Sequence, residues 1–279
     1  MHGQVHRRDG GGAIALGTTR SRRSGVRWWL AVPLLALLLL ACAGDDDTDD
    51  LTVFAAASLR DVVGELEVAW LEGHPDRQLT IATEASNVLA AQIREGAPAD
   101  VLLSADTSRP QELFDDGLTA AAPVPFVRNS VVLVAPRTGG AVQSAEDLAQ
   151  PGVLVVGVSK GAPISRYTDE AQARLAATMA DPEAFASALA ANIVSREDNV
   201  RAALAKVELG EGDAAFVYRT DLFGSDAVRE VPLPAGSSVP APYGAVQVSD
   251  KPVAAEFMAW LGEPAATAVL SAAGFELAP

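Results

Sequence analysis

The sequence predicts an α/β fold of two lobes, each a mostly parallel sheet flanked by helices. From residue 51 onward, short apolar runs alternate with amphipathic segments of helical period, an order typical of consecutive β-α-β units. Two further apolar runs, 130–135 and 243–248, are placed to cross between two sets of such units. We expect these two crossing strands to act as a hinge and to leave a ligand-binding cleft between the lobes.

The first lobe is predicted to cover residues 51–130 and, after the chain returns, residues 239–279. Short apolar runs predict its strands at 51–54, 79–82 and 101–103. Apolar residues at helical spacing follow each strand and predict helices that begin near Leu59, Val88 and Ser108. Two closing helices are predicted in the returning segment, at 253–261 and 264–273.

The second lobe is predicted to cover residues 131–238. Its strands are expected at 153–158 and 214–217, and its helices at 164–178, 182–190 and 199–208. The segment 231–242 is rich in Pro, Gly and Ser and is predicted to be a connector.

The first 41 residues are interpreted as a secretion signal. A basic region that includes Arg22 and Arg27 precedes the apolar run 28–40, which is too short to span a bilayer comfortably. The run leads to Cys42, the single cysteine of the chain, where a bacterial lipoprotein signal would need one. We therefore predict lipidation of Cys42 and an acidic tether at 42–50. The alternative is an ordinary cleaved signal with an incidental cysteine.

The part of the chain beyond the signal is strongly acidic. The first 41 residues hold six arginines and one aspartate, which leaves 15 basic and 35 acidic residues and a net charge of −20. Such a surface argues against nucleic acid and against electrostatic binding to anionic lipid. It also disfavours long-range attraction of anions. An anion site on this chain would have to work through short hydrogen bonds in a dehydrated pocket.

Two serines lie where a predicted strand gives way to a helix. Ser58 follows the first strand and Ser86 follows the second. A helix start offers free backbone N–H groups and the positive end of the helix dipole, and the serine adds a hydroxyl. Each serine could instead be a plain N-cap, which is the commoner role at a helix start. Because the carboxyl ends of parallel strands bind ligands, the repeat in successive units favours an oxyanion site.

Two further helix starts and one tyrosine could complete such a site. Ile164 follows Pro163 at the start of a helical segment, and Val200 comes two residues after Asp198, the expected cap of another helix, so the backbone N–H of each could point outward. Tyr218 ends an apolar strand and could donate its phenol proton into a cleft, or it could be a half-buried core residue.

The part of the chain from about residue 51 to the end resembles the molybdate-binding proteins of bacterial ABC transporters. The motifs that carry the resemblance are VFAAASL at 53–59, LAAQI at 89–93, GAPAD at 96–100, SAD at 104–106, NS at 129–130, DNVRAAL at 198–204 and VY at 217–218. The resemblance implies a two-lobed periplasmic binding protein fold of type 2.

The resemblance also implies a ligand and its binding residues. The ligand would be molybdate or tungstate, so that molybdenum is held only as its oxyanion and no cofactor is needed. The implied binding residues are Ser58, Ser86, Ile164, Val200 and Tyr218. The implied partner is an ABC permease with its ATPase, served by a monomeric receptor that is lipid-anchored and faces outward. The sequence departs from the family pattern at Asn87, Ile164 and Arg219, of which Arg219 could place a charge near the cleft.

Other function classes fit the sequence less well. Beyond the signal the chain has one histidine, His74, which leaves little for a Ser-His-Asp triad, and it has no phosphate-binding Gly-x-x-x-x-Gly-Lys loop. We therefore predict no enzymatic activity. A receptor for another oxyanion, such as sulfate, thiosulfate or a phosphonate, is the nearer alternative. A receptor for a metal ion held with carbonate is also weighed, but Tyr167, Tyr218 and Tyr243 are not adjacent.

Overall fold

The computed structural model describes residues 50–278, so the predicted signal, Cys42 and most of the acidic tether lie outside the described residues. The strands of this region are β1 Leu51–Ala56, β2 Leu79–Glu84, β3 Val101–Ser104, β4 Val124–Pro136, β5 Val155–Val158, β6 Ile193–Glu197, β7 Ala214–Tyr218, β8 Val228–Val231, β9 Pro240–Gln247 and β10 Glu276–Leu277. Its α-helices are α1 Arg60–Gly73, α2 Ser86–Arg94, α3 Ser108–Asp115, α4 Pro163–Ala176, α5 Pro182–Ala191, α6 Val200–Glu208, α7 Pro252–Trp260 and α8 Pro264–Ala272. None of these helices is both long and apolar enough to cross a bilayer.

The strands follow the order β2-β1-β3-β9-β4-β7-β5-β6, and β8 and β10 both pair with β4. In the first lobe, β1 pairs in parallel with β2 and β3. In the second lobe, β5 pairs in parallel with β6 and β7. Each lobe therefore keeps the parallel β-α-β arrangement that the alternating pattern predicts.

The long strand β4 changes partner along its length. Up to Ser130, which lies opposite Pro240, it pairs with β9, and from Val131, which lies opposite Tyr218, it pairs with β7. The chain leaves the first lobe along β4 and returns along β9, so these strands run antiparallel. The sheet is therefore mixed, where a mostly parallel sheet was expected.

Helices cover both faces of the first lobe's sheet. Val53 packs on the face that also buries Trp70, whose ring centroid lies 5.2 Å from those of both Phe257 and Trp260. The next residue, Phe54, belongs to a second cluster on the opposite face with Leu89. A strand buried on both faces reads as a continuous apolar run, which is why β1 is plain in the sequence.

Three strands escape prediction because their sequences are only partly apolar. β6 has no fully buried residue, and β8 buries only Val228 and Val231 around Arg229 and Glu230. β10 is two exposed residues long. Edge strands of this kind lack the apolar run that signals a central strand.

Candidate functional site

A small cavity of about 20 Å³ lies where the carboxyl ends of strands from both lobes meet. Its lining residues follow β1, β2, β3, β5, β6 and β7, or end them. They are Ala56, Ala57, Ser58, Ala85, Ser86, Ala105, Ala162, Pro163, Ile164, Asn199, Val200 and Tyr218. A volume somewhat above the roughly 10–15 Å³ that a water needs suits a compact ligand.

All five residues that the sequence analysis singles out line this cavity. Ser58, Ser86, Ile164, Val200 and Tyr218 come from both lobes and from positions 160 residues apart in the sequence. Asn199 and Ala105 were not singled out, although both lie within motifs that carry the resemblance. Asn199, and not the expected Asp198, is the N-cap of α6, since its Oδ1 accepts from the Ala202 N–H at 3.0 Å. Ala105 has no polar side chain, so the sequence marks neither residue as cavity-lining.

The two serines are not side-chain caps of their helices. Ser58 lies in a short 3₁₀ turn before α1, and Ser86 is the first residue of α2, and neither segment has a side-chain cap hydrogen bond. Ser86 Oγ instead accepts from the backbone N–H of Ala105 at 3.1 Å. Both serines are buried, with 5% and 1% of their surface exposed. Neither hydroxyl donates to an acceptor within residues 50–278, so both can donate to a ligand in the cavity.

Backbone donors from the second lobe face the same cavity. Ile164 is the second residue of α4 and Val200 is the first residue of α6. An N–H in the first turn of a helix has no acceptor within the helix, and no other backbone acceptor in residues 50–278 receives these two. The N-termini of α2, α4 and α6 thus meet at one point, and their dipoles favour a negative charge there.

Tyr218 supplies a neutral phenol. It is 1% exposed, and burial raises its pKa well above the ordinary value, so the group keeps its proton at physiological pH. Its Oη donates weakly to the carbonyl oxygen of Ala105 at 3.4 Å. A stronger acceptor in the cavity would compete well for this proton.

The residues that line the cavity carry no formal charge. Arg219 does not contribute one, since its guanidinium forms a two-pronged ion pair with Glu230, at 2.9 and 3.1 Å, and donates to Ser130 Oγ. In residues 50–278, no cluster of His, Cys, Asp or Glu side chains is suited to hold a metal ion. The arrangement can therefore bind an anion through hydrogen bonds alone.

Charged and polar side chains join the two lobes beside the cavity. Arg201 of α6 pairs with Asp61 of α1, and Asn199 Nδ2 donates to Glu84 Oε1 at 3.0 Å. A larger cavity of about 400 Å³ adjoins the small one at Ser58 and is bordered by Asp61 and Arg201. These contacts hold the lobes together around the site.

Asp221 lies completely buried behind Arg201. Its Oδ1 lies 3.2 Å from Arg201 Nε, but these two atoms are not aligned as a hydrogen bond, and its Oδ2 accepts from the Tyr218 N–H at 2.9 Å. Burial raises the pKa of the Asp221 carboxyl to about 7, although the Arg201 guanidinium acts to lower it.

This raised pKa predicts a pH dependence of stability. Between the ordinary value of 3.8 and about 7, folded Asp221 holds a proton that the unfolded chain has lost, so stability falls as pH rises through this window. We expect wild type to lose stability relative to Asp221→Asn from about pH 4.5 to 7 and no further above it. Denaturant unfolding of both proteins across this range measures the difference, and a difference independent of pH would contradict the prediction.

The chain is similar to known proteins over nearly all of its described length. Residues 51–276 match the sequence model of a family described as bacterial extracellular solute-binding protein. The molybdate-binding protein ModA of Haemophilus influenzae is 31% identical over 235 residues, which cover 80% of this chain and 89% of that protein.

Solved structures share the fold. The periplasmic molybdate-binding protein of Azotobacter vinelandii superposes with a TM-score of 0.70 at 22% identity, over 82% of this chain and all of that one. The sulfate-binding protein SubI of Mycobacterium tuberculosis superposes with a TM-score of 0.68 at 18% identity, over 81% of this chain and 86% of that one. The likeness is to two-lobed α/β binding proteins, as the sequence predicts.

Proposed function

The chain belongs to the family of bacterial extracellular solute-binding proteins, and from that premise we propose that it binds molybdate outside the cytoplasmic membrane and delivers it to an ABC permease. One observation carries the proposal. Two serine hydroxyls, two backbone N–H groups and a phenol converge on one uncharged cavity of about 20 Å³. The relative from Haemophilus influenzae is a molybdate-binding protein. We propose tungstate as a second ligand, since the two anions are nearly isosteric.

A shell of donors discriminates by size. Sulfate and phosphate are smaller than molybdate, so in a cavity of fixed radius they leave some donors without an acceptor. Each buried unsatisfied donor costs about 1–3 kcal/mol, and two of them amount to roughly a hundredfold or more in affinity. Phosphate also carries a proton near neutral pH and would need an acceptor, which a site made of donors lacks.

Sulfate or thiosulfate is the second candidate ligand. Both are dianions without a proton at neutral pH, so the absence of a carboxylate from the lining does not exclude them. For sulfate, only the radius of the donor shell separates it from molybdate. The affinities for the two sizes of anion therefore decide between the candidates.

We further propose how the receptor is placed and how it moves. Cys42 would carry the lipid, residues 42–50 would form the tether, and the receptor would act as a monomer. The lobes would divide at 51–130, 131–238 and 239–279, a division supported by the change of partner that β4 makes after Ser130. The permease and its ATPase would supply the energy for transport.

The proposal is tested by isothermal titration of the purified protein with molybdate, tungstate, sulfate and phosphate. We expect one-to-one binding of molybdate and tungstate, with sulfate at least roughly a hundredfold weaker and phosphate weaker still. The melting temperature should rise with molybdate concentration, because a ligand that binds only the folded state stabilises it. Tight binding of sulfate without molybdate would keep the receptor and overturn the ligand.

A further inference from the structure

The side chain of Tyr243 touches the site from behind. It lies on the crossing strand β9, is completely buried, and does not line the small cavity. Its Oη donates to Ser58 Oγ at 2.8 Å, across 185 positions of sequence. Edge-to-face contacts with Tyr218 and Phe275, at centroid distances of 5.5 and 5.6 Å, hold the ring in place.

The direction of this hydrogen bond is fixed by Asn129 on the other crossing strand, β4. The Ser130 N–H donates to Asn129 Oδ1 at 2.9 Å, which sets the orientation of the amide. Asn129 Nδ2 therefore points to Thr220 Oγ1 at 2.8 Å and to Tyr243 Oη at 3.4 Å. Since an NH₂ group only donates, Tyr243 Oη accepts from Asn129 and donates its own hydrogen bond to Ser58 Oγ.

The consequence reaches the cavity. One lone pair of Ser58 Oγ is occupied by Tyr243, and the Ser58 proton has no acceptor among residues 50–278. We propose that Tyr243 is a positioning residue, which holds the Ser58 hydroxyl as a donor toward a bound, fully deprotonated oxyanion. The inference rests on the proposed function of the same site.

This role affects both affinity and selectivity. A hydroxyl held in its donating orientation loses little freedom when the anion arrives, so its hydrogen bond contributes more to binding. Without the phenol, the Ser58 hydroxyl can rotate so that its oxygen accepts a hydrogen bond from the O–H of a protonated anion. Hydrogen phosphate would then be rejected less strongly, while molybdate would be bound less well.

The test is a double-mutant cycle of Tyr243→Phe and Ser58→Ala, with molybdate affinity measured by titration of the purified full chain. Tyr243→Phe keeps the ring and its aromatic contacts and removes only the hydroxyl. We expect Tyr243→Phe to weaken molybdate binding roughly 5- to 50-fold when Ser58 is present and less than about twofold in the Ser58→Ala background. The preference for molybdate over phosphate should narrow in Tyr243→Phe.

The control is Tyr167→Phe, which removes the hydroxyl of a second buried tyrosine. Tyr167 is 4% exposed and its Oη accepts from Arg166 Nη2, and it does not line the cavity. This variant should bind molybdate as wild type does. An equal loss from Tyr243→Phe in both backgrounds, or no loss in wild type, would overturn the positioning role.

A second variant keeps the test decisive if Tyr243→Phe does not fold. Asn129→Asp retains an acceptor for the Ser130 N–H and places another acceptor before Tyr243, which would draw the phenol proton away from Ser58. We expect the same dependence on Ser58 as for Tyr243→Phe, and additive losses would overturn the inference. If wild type binds sulfate and not molybdate, the proposed ligand fails, and the same cycle measured with sulfate still decides the role of Tyr243.

Discussion

The Ser58→Ala/Ser86→Ala variant is expected to bind molybdate roughly 10²- to 10⁴-fold more weakly than wild type and to remain folded. Each hydroxyl would donate to an anion in a dehydrated cavity, and such charge-assisted hydrogen bonds contribute about 1.5–3 kcal/mol each. Two of them amount to about 3–6 kcal/mol, which is the range of affinity stated. Neither hydroxyl caps a helix, so neither removal exposes a helix end. Isothermal titration measures the affinity, and thermal unfolding without ligand checks the fold.

Ser237→Ala is the matched control for the two serines. Ser237 is 1% exposed, and its hydroxyl has no hydrogen-bond partner within residues 50–278 and lies away from the cavity. Its removal should leave molybdate binding unchanged. If the double variant binds molybdate as tightly as this control, the hydroxyls do not bind the ligand.

The elements that place the site are the ones that the sequence predicts best. β1, β3 and β7 are central strands with continuous apolar runs, and the residues that follow or end them, Ser58, Ala105 and Tyr218, lie at the cavity. Ser58 and Ser86 could be predicted because serines recur at the strand-to-helix junctions of two successive units, which favours an oxyanion site over two plain N-caps. The position of Ile164 and Val200 came from the resemblance, since a backbone N–H leaves no mark on the side chain.

The support behind the site could not be predicted from the sequence. Tyr243 lies 185 positions from Ser58, and Asn129 lies 114 positions from Tyr243, so only the crossing of β4 and β9 brings the three together. Asp221 reads as a surface residue after a strand, yet it is fully buried. Local patterns specify strands and helices, whereas these contacts arise from how the two lobes are joined.

Gly161 is where a substitution is expected to hold the cleft open. Gly161 lies between β5 and α4, and a Cβ built on it would lie 3.1 Å from Asn87 Nδ2 of the first lobe. A leucine side chain must displace the Asn87 side chain or separate the lobes, and separation would move Ile164, three residues on, away from Ser58 and Ser86. We expect Gly161→Leu to weaken molybdate binding by roughly a hundredfold or more, equivalent to about 3 kcal/mol. Titration measures the affinity. With molybdate present, small-angle X-ray scattering should give a larger radius of gyration for Gly161→Leu than for wild type.

Two further variants separate this steric effect from a loss of fold. Gly73→Leu, at the end of α1, places the same side chain where a Cβ meets nothing within 4 Å, and it should bind molybdate normally. Asn87→Ala removes the obstacle, so Gly161→Leu/Asn87→Ala should recover part of the lost affinity. Such a recovery would show that the clash between residues 161 and 87 causes the loss. A damaged loop before α4 would not be repaired by a substitution in the opposite lobe. If Gly161→Leu binds molybdate as tightly as wild type, the larger side chain does not hold the cleft open and the prediction is wrong.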